Sequence, residues 1–157
     1  MAKIEFINQA EKSKILKELE RYGIKEIPFL LVKSGKEKIR AYSGSFRAGD
    51  ITKIADSVPI ETIGLYLAKI DGDEIRLSID ALHLLKNQIK ENVLELTKEQ
   101  TEEYLKGRDV ELTEKQKELT LERVYYVIKN GEDFVGMAKI IQGRIKNYLP
   151  KERRIKN

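Results

Sequence analysis

Apolar residues in the first part of the chain recur at helical spacing: Ile15, Leu16, Leu19 and Tyr22 share one face. Asn8 followed three positions on by Glu11 has the form of a capping box, and Gly23 offers a left-handed stop, so a helix is expected over residues 9–22. The period then shortens. Behind Pro28, Phe29-Leu30-Leu31-Val32 is a short continuous apolar run that predicts a buried strand, Ser34-Gly35-Lys36 turns the chain, and residues 38–43 alternate as a half-exposed partner. A short helix with Ile51, Ile54 and Ala55 inward is expected to end at Val58-Pro59. Alternating runs at 62–70 and 74–78 flank Asp71-Gly72 and predict a hairpin. Ser78 then caps an expected long helix with Leu82, Leu85 and Ile89 on one face.

Polarity rises at Lys90-Glu91-Asn92 and the pattern restarts, which places a domain boundary after residue 92. Val93-Leu94-Glu95-Leu96 reads as a strand, and Thr97 with Gln100 opens a helix to about Lys106 that turns Tyr104 and Leu105 inward. Gly107 stops it, residues 109–112 return as a strand, and the charged piece 113–118 reads as an exposed loop. Val124-Tyr125-Tyr126-Val127-Ile128, the pair Asn130-Gly131 and the returning run 134–141 form the last hairpin.

Charge changes the picture in the tail. From Lys139 onward, Lys139, Arg144, Lys146, Lys151, Arg153, Arg154 and Lys156 face the single acid Glu152, while the whole chain is only +4, so residues 1–138 carry a small negative balance. A positive field confined to one end suits phosphates. A solvated tail, or a complement to a helix dipole, is the competing reading of such a run. Tyr148, Leu149 and Pro150 favour docking on the body of the protein over fraying, and Asn147 and Tyr148 add hydrogen bonding and stacking for a base or ribose.

Composition narrows the classes further. An apolar content of 41% supports a buried core, in one ordinary domain or two small ones. No apolar run approaches the roughly 18 residues of a membrane span, and the opening MAKIEFINQAEKSK has no signal core, so no membrane association and a cytoplasmic location are expected. With no cysteine there is no disulfide and no thiolate nucleophile, and one histidine excludes a His-rich metal cluster. The Lys- and Glu-rich composition, poor in Cys, Trp and Met, is of the kind associated with thermophiles.

Other candidate chemistry reads as structural. His83 is expected to be a half-buried structural residue, and Asp71, Asp73 and Glu74 a solvated hairpin tip and not an acid pair. The Gly- and Ser-rich loop 43–49 could cradle an anion but lacks the Gly-Lys-Ser/Thr of a P-loop. Tyr42, Tyr66, Tyr125 and Tyr126 are read mainly as strand tyrosines facing a core.

The run Glu103-Tyr104-Leu105-Lys106-Gly107-Arg108-Asp109-Val110, followed by a strand pair with Phe134-Val135-Gly136-Met137-Ala138 in its return arm, is similar to the PUA domain, a small RNA-binding pseudo-barrel. The ending Lys146-Asn147-Tyr148-Leu149-Pro150-Lys151-Glu152-Arg153-Arg154 resembles more narrowly the tail of the Nol/Nop/Sun (fmu) family of ribosome biogenesis proteins. The first half resembles, more loosely, the pre-PUA domain of archaeal and eukaryotic large-subunit biogenesis factors. The resemblance implies that the turn at Gly107 approaches the RNA backbone and that the closing strand and basic tail flank the same groove. A glycine there lets a phosphate approach backbone amides, with Lys106 and Arg108 beside it, although a helix stop needs a glycine in any case. The methyltransferase relatives carry a cofactor-binding Rossmann domain and cysteine nucleophiles, and this sequence has no cysteine and no Gly-x-Gly fingerprint after a strand.

The expectation is therefore an α+β protein: a mixed α/β, pre-PUA-like domain over residues 1–92 and a small PUA-like β-barrel over 93–157. It is expected to bind RNA without catalysis or cofactor, ribosomal RNA before transfer RNA, in ribosome biogenesis or RNA modification. Lys106, Gly107, Arg108, Lys139, Arg144, Lys146, Asn147, Tyr148, Lys151, Arg153 and Arg154 are the predicted contacts. The alternative is a partner subunit that docks through its N-terminal domain on a separate RNA methyltransferase. A small enzyme working by carboxylate chemistry is the weakest reading.

Overall fold

The Asn8 side chain accepts a hydrogen bond from the Glu11 N–H at 2.9 Å and starts helix α1 (Gln9–Leu19), as the capping pattern predicts. A 3-10 turn (Glu20–Tyr22) extends it to Gly23, whose φ of 91° supplies the left-handed stop. The computed structural model describes residues 4–60 and 62–156. The first half builds an antiparallel sheet in chain order from β1 (Glu5–Phe6), β2 (Leu30–Ser34), β3 (Lys38–Tyr42), β4 (Leu65–Asp71) and β5 (Glu74–Leu77). Helix α2 (Ala48–Ser57) hangs at its side and buries Ile51 alone, so Ile54, expected inward, is exposed. The anion-cradle reading of loop 43–49 also fails on geometry. Asp50 already accepts from the Arg47 N–H at the helix start, and the Tyr42 ring occupies the space beside Gly44.

The long helix expected after Ser78 is short, α3 (Ile79–Leu84), although Leu82, Leu85 and Ile89 are buried together as its pattern requires. The chain leaves the helix because its next peptide groups find other partners. Gln88 and Ile89 close tight turns onto Leu85 and Lys86, the Lys90 N–H bonds the Tyr22 carbonyl at 2.9 Å, and the Gln88 amide is clamped to the backbone of Lys25 and Glu26.

The second half forms a mixed sheet of β6 (Val93–Glu95), β7 (Val110–Glu111), β8 (Tyr125–Asn130), β9 (Asp133–Ile141) and β10 (Arg144–Asn147), in the spatial order β6-β8-β9-β10-β7 with β6 parallel to β8. Helix α4 (Lys98–Leu105) joins β6 to β7 behind the Thr97–Gln100 capping box. The stretch expected as an exposed loop is helix α5 (Glu114–Leu119), started by a second capping box of Thr113 and Gln116. The two capping glutamines meet: Gln100 and Gln116 exchange amide hydrogen bonds of 2.8 and 2.9 Å, and each also donates to a strand carbonyl, of Glu111 and Glu95.

Strands β8 and β9 are apolar on both faces because both faces are covered. Tyr126, Ile128, Ala138 and Ile140 point into the second half's own core with Tyr104 and Ile145, whereas Tyr125, Val127 and Met137 join the core of the first half. This explains the unbroken run Tyr125-Tyr126-Val127-Ile128. The architecture is α+β, and among the described residues no helix is long and apolar enough to cross a membrane.

Candidate nucleic-acid interface

Helix α4, strand β10 and the C-terminal segment are tied into one surface by Asn147. Its side-chain amide donates to the carbonyls of Tyr104 (2.7 Å) and Arg108 (2.9 Å), and its oxygen accepts from the Leu149 N–H at 2.7 Å. The turn at the end of α4 is thereby fastened to the end of β10. Asn147, expected from the sequence to touch a base or ribose, has both amide donors and one lone pair of its oxygen engaged by the protein's own backbone, and so positions this surface. Gly107, at φ 84°, lies against the Arg154 side chain, and a Cβ there would collide with it. Arg154 also donates to the Leu149 carbonyl at 3.1 Å, and the Ile155 N–H bonds the Leu105 carbonyl at 2.8 Å. The tail docks through buried Leu149 and a 3-10 turn at Lys151–Arg153.

The predicted cations differ in what holds them. Lys106 and Arg108 share the carboxylate of Glu103, at 3.7 and 2.8 Å, and the Arg108 hydrogen bond holds that carboxyl below its ordinary range. Arg144 pairs with Glu111 across the strands at 2.9 Å, and Arg153 reaches Asp80 of α3 at 3.1 Å. Lys139 turns to the first half, 3.4 Å from Glu74 and 4.8 Å over the Tyr125 ring. Lys146, Lys151 and Arg154 make no ion pair among the described residues. The eight predicted cations and the four carboxylates that hold five of them sum to about +4.

The junction between the halves is polar as well as apolar. The Tyr125 hydroxyl donates to Asp71 Oδ2 at 2.5 Å and lowers that carboxyl's pKa, with Lys139, Arg76 and Lys69 adding to the effect against partial burial. Burial, the Asp71 hydrogen bond and the nearby Tyr148 hydroxyl push the Tyr125 phenol well above its usual value. Asp71 and Asp73 are exposed at the hairpin tip, as expected, while Asp71 and the half-buried Glu74 also serve the junction. The Tyr148 ring is 5.6 Å from that of Tyr125, under the Arg76 guanidinium at 4.1 Å and near Lys146 Nζ at 5.6 Å. Arg76 is the residue that sequence reasoning missed, because no local pattern reports a contact between residues so far apart in the chain. His83, expected half-buried, is exposed with Nε2 3.3 Å from the Phe134 carbonyl. The described residues contain no group of three or more His, Cys, Asp or Glu placed to hold a metal ion.

A small sheet with its helix-to-strand turn, closing strand and tail gathered into one basic face has the features of an RNA-binding pseudo-barrel. Residues 91–155 match the family model described as the methyltransferase RsmF PUA domain. The second half of the chain is thus similar to a PUA domain, a kind of domain that binds RNA. No curated protein matches the chain.

Proposed function

We propose that the protein binds structured ribosomal RNA without catalysing a reaction on it, in ribosome biogenesis or RNA modification, with transfer RNA as the second candidate ligand. Residues 93–157 form the RNA-binding unit and residues 1–92 a pre-PUA-like unit that buttresses it; the protein works in the cytoplasm and needs no cofactor. The observation that carries this reading is the joining of the α4 turn, β10 and the tail into one surface with a surplus of cations. Lys146, Lys151 and Arg154, which have no carboxylate partner among the described residues, contact phosphates first; Lys106, Arg108, Arg144 and Arg153 exchange their carboxylates for phosphates as RNA arrives. Lys139 and Asn147 shape the surface, and Gly107 lets the turn pack close.

The test is direct binding of the purified chain to ribosomal RNA stem-loops, transfer RNA and duplex DNA of equal length. Ribosomal RNA is expected to bind tightest and duplex DNA weakest; equal weak binding to all three contradicts the reading.

One observation favours the partner-subunit reading as well. On the first half, Phe46, Ile54 and Val58, on and beside α2, are 55%, 40% and 54% exposed, large apolar side chains of the kind that protein partners cover. Purification from native lysate separates the two readings. A stand-alone binder brings RNA or ribosomal particles, whereas a subunit brings a cofactor-binding methyltransferase.

A further inference from the structure

Between the two halves lies a cleft of about 170 Å³, bounded by β5 and the start of α3 on one side and by β9 and the tail on the other. Its floor is apolar, with Leu77, Met137 and Leu149 all buried. Arg76 stands on its wall. Among the described residues its guanidinium donates no hydrogen bond and joins no ion pair. The neighbouring cations Arg21, Lys139 and Arg153 all have carboxylates. What holds Arg76 is the Tyr148 ring, 4.1 Å beneath it. A guanidinium held over an aromatic ring leaves its donors available to a second planar group.

The rest of the lining decides what that group is. Asp80, which already holds Arg153 at 3.1 Å, and Glu152 both border the cleft. Two carboxylates repel a phosphate, but they accept hydrogen bonds from the amino edge of a nucleobase. The apolar floor suits a base and not a charged backbone, and the volume admits one ring system and not a base pair. Lys146 and Lys151 remain outside on the adjoining surface, where phosphates would run.

We infer that this cleft receives a single unpaired nucleobase of the bound RNA, stacked on Arg76 and read at its amino edge by Asp80. The inference rests on the RNA-binding function proposed above and adds a contact from the first half, so that RNA is gripped by both halves together.

The test is a double-mutant cycle with the full chain and a ribosomal RNA stem-loop carrying short unpaired overhangs, each unpaired position in turn made abasic. At one position the abasic change is expected to weaken wild-type binding about tenfold. Arg76→Ala is expected to lose the same factor on intact RNA and to be indifferent to the abasic change at that position. Arg76→Lys keeps the charge and removes the plane, so it should behave as the alanine variant does, and it carries the cycle if Arg76→Ala fails to fold. Additive losses at every position, or full recovery by lysine, overturn the base-receiving cleft. Wild-type binding that is salt-dependent yet insensitive to every abasic position overturns the cleft alone; no binding to intact RNA overturns the RNA-binding function and the cleft with it.

Discussion

Asn147 shows how one side chain can organise a surface. Its amide satisfies two carbonyls at the end of α4 and its oxygen an N–H of the tail, so removing it leaves three backbone groups to find water. Asn147→Ala is expected to lower stability by about 1–3 kcal/mol in urea unfolding, and to weaken RNA binding by loosening the turn. The Tyr125–Asp71 hydrogen bond makes a second prediction, with a sign. A carboxyl whose folded pKa is depressed contributes stability above its unfolded value, about 3.9, and loses it as pH falls through the folded value. Stability should therefore decline with acid below about pH 4, and Tyr125→Phe should make that decline shallower. The sequence exposes the types of these residues but not their partners. The basic run is visible as charge, whereas Glu103 and Asp80 decide which cations are held, and only the fold brings them there.

Among the elements, local signals predict what local forces decide. Asn8, Ser78 and Thr97 each accept from an N–H three residues on, where the capping pattern places the helix starts. Helix α5 carries the same signal in Thr113 and Gln116, but its high charge and lack of an apolar face read as a loop. What stabilises it is the amide pair with Gln100, formed across two helices and two strands and invisible to a periodicity argument. Gln116→Ala removes a cap and leaves the buried Gln100 amide without that partner, so a loss of about 1–3 kcal/mol is expected in urea unfolding. The over-long helix predicted after Ser78 has the mirror-image cause. Its apolar spacing is real, but the Tyr22 carbonyl, in the turn after the first helix, takes the Lys90 and Glu91 N–H groups, and the following loop at Lys25 and Glu26 clamps the Gln88 side chain.

At the scale of the molecule, the two halves are bound through a shared core and a row of polar contacts, Tyr125 to Asp71, Lys139 to Glu74 and Arg153 to Asp80. Two carboxylates that look like a solvated turn from the sequence are part of this junction, which follows from the second-half strands being covered on both faces. A chain so rich in Lys and Glu, with such a junction, is predicted to unfold above about 60 °C by calorimetry, in one transition. The central claim is that the joined turn, strand and tail form a phosphate-contacting surface. It is tested most directly by fluorescence anisotropy of a ribosomal RNA fragment over a salt series, comparing wild type with Lys146→Ala/Lys151→Ala. With about four phosphates engaged, log affinity should fall against log salt with a slope near −3, and the double variant should lose affinity and about half of that slope. A flat salt dependence in wild type, or an unchanged slope in the variant, would contradict the account.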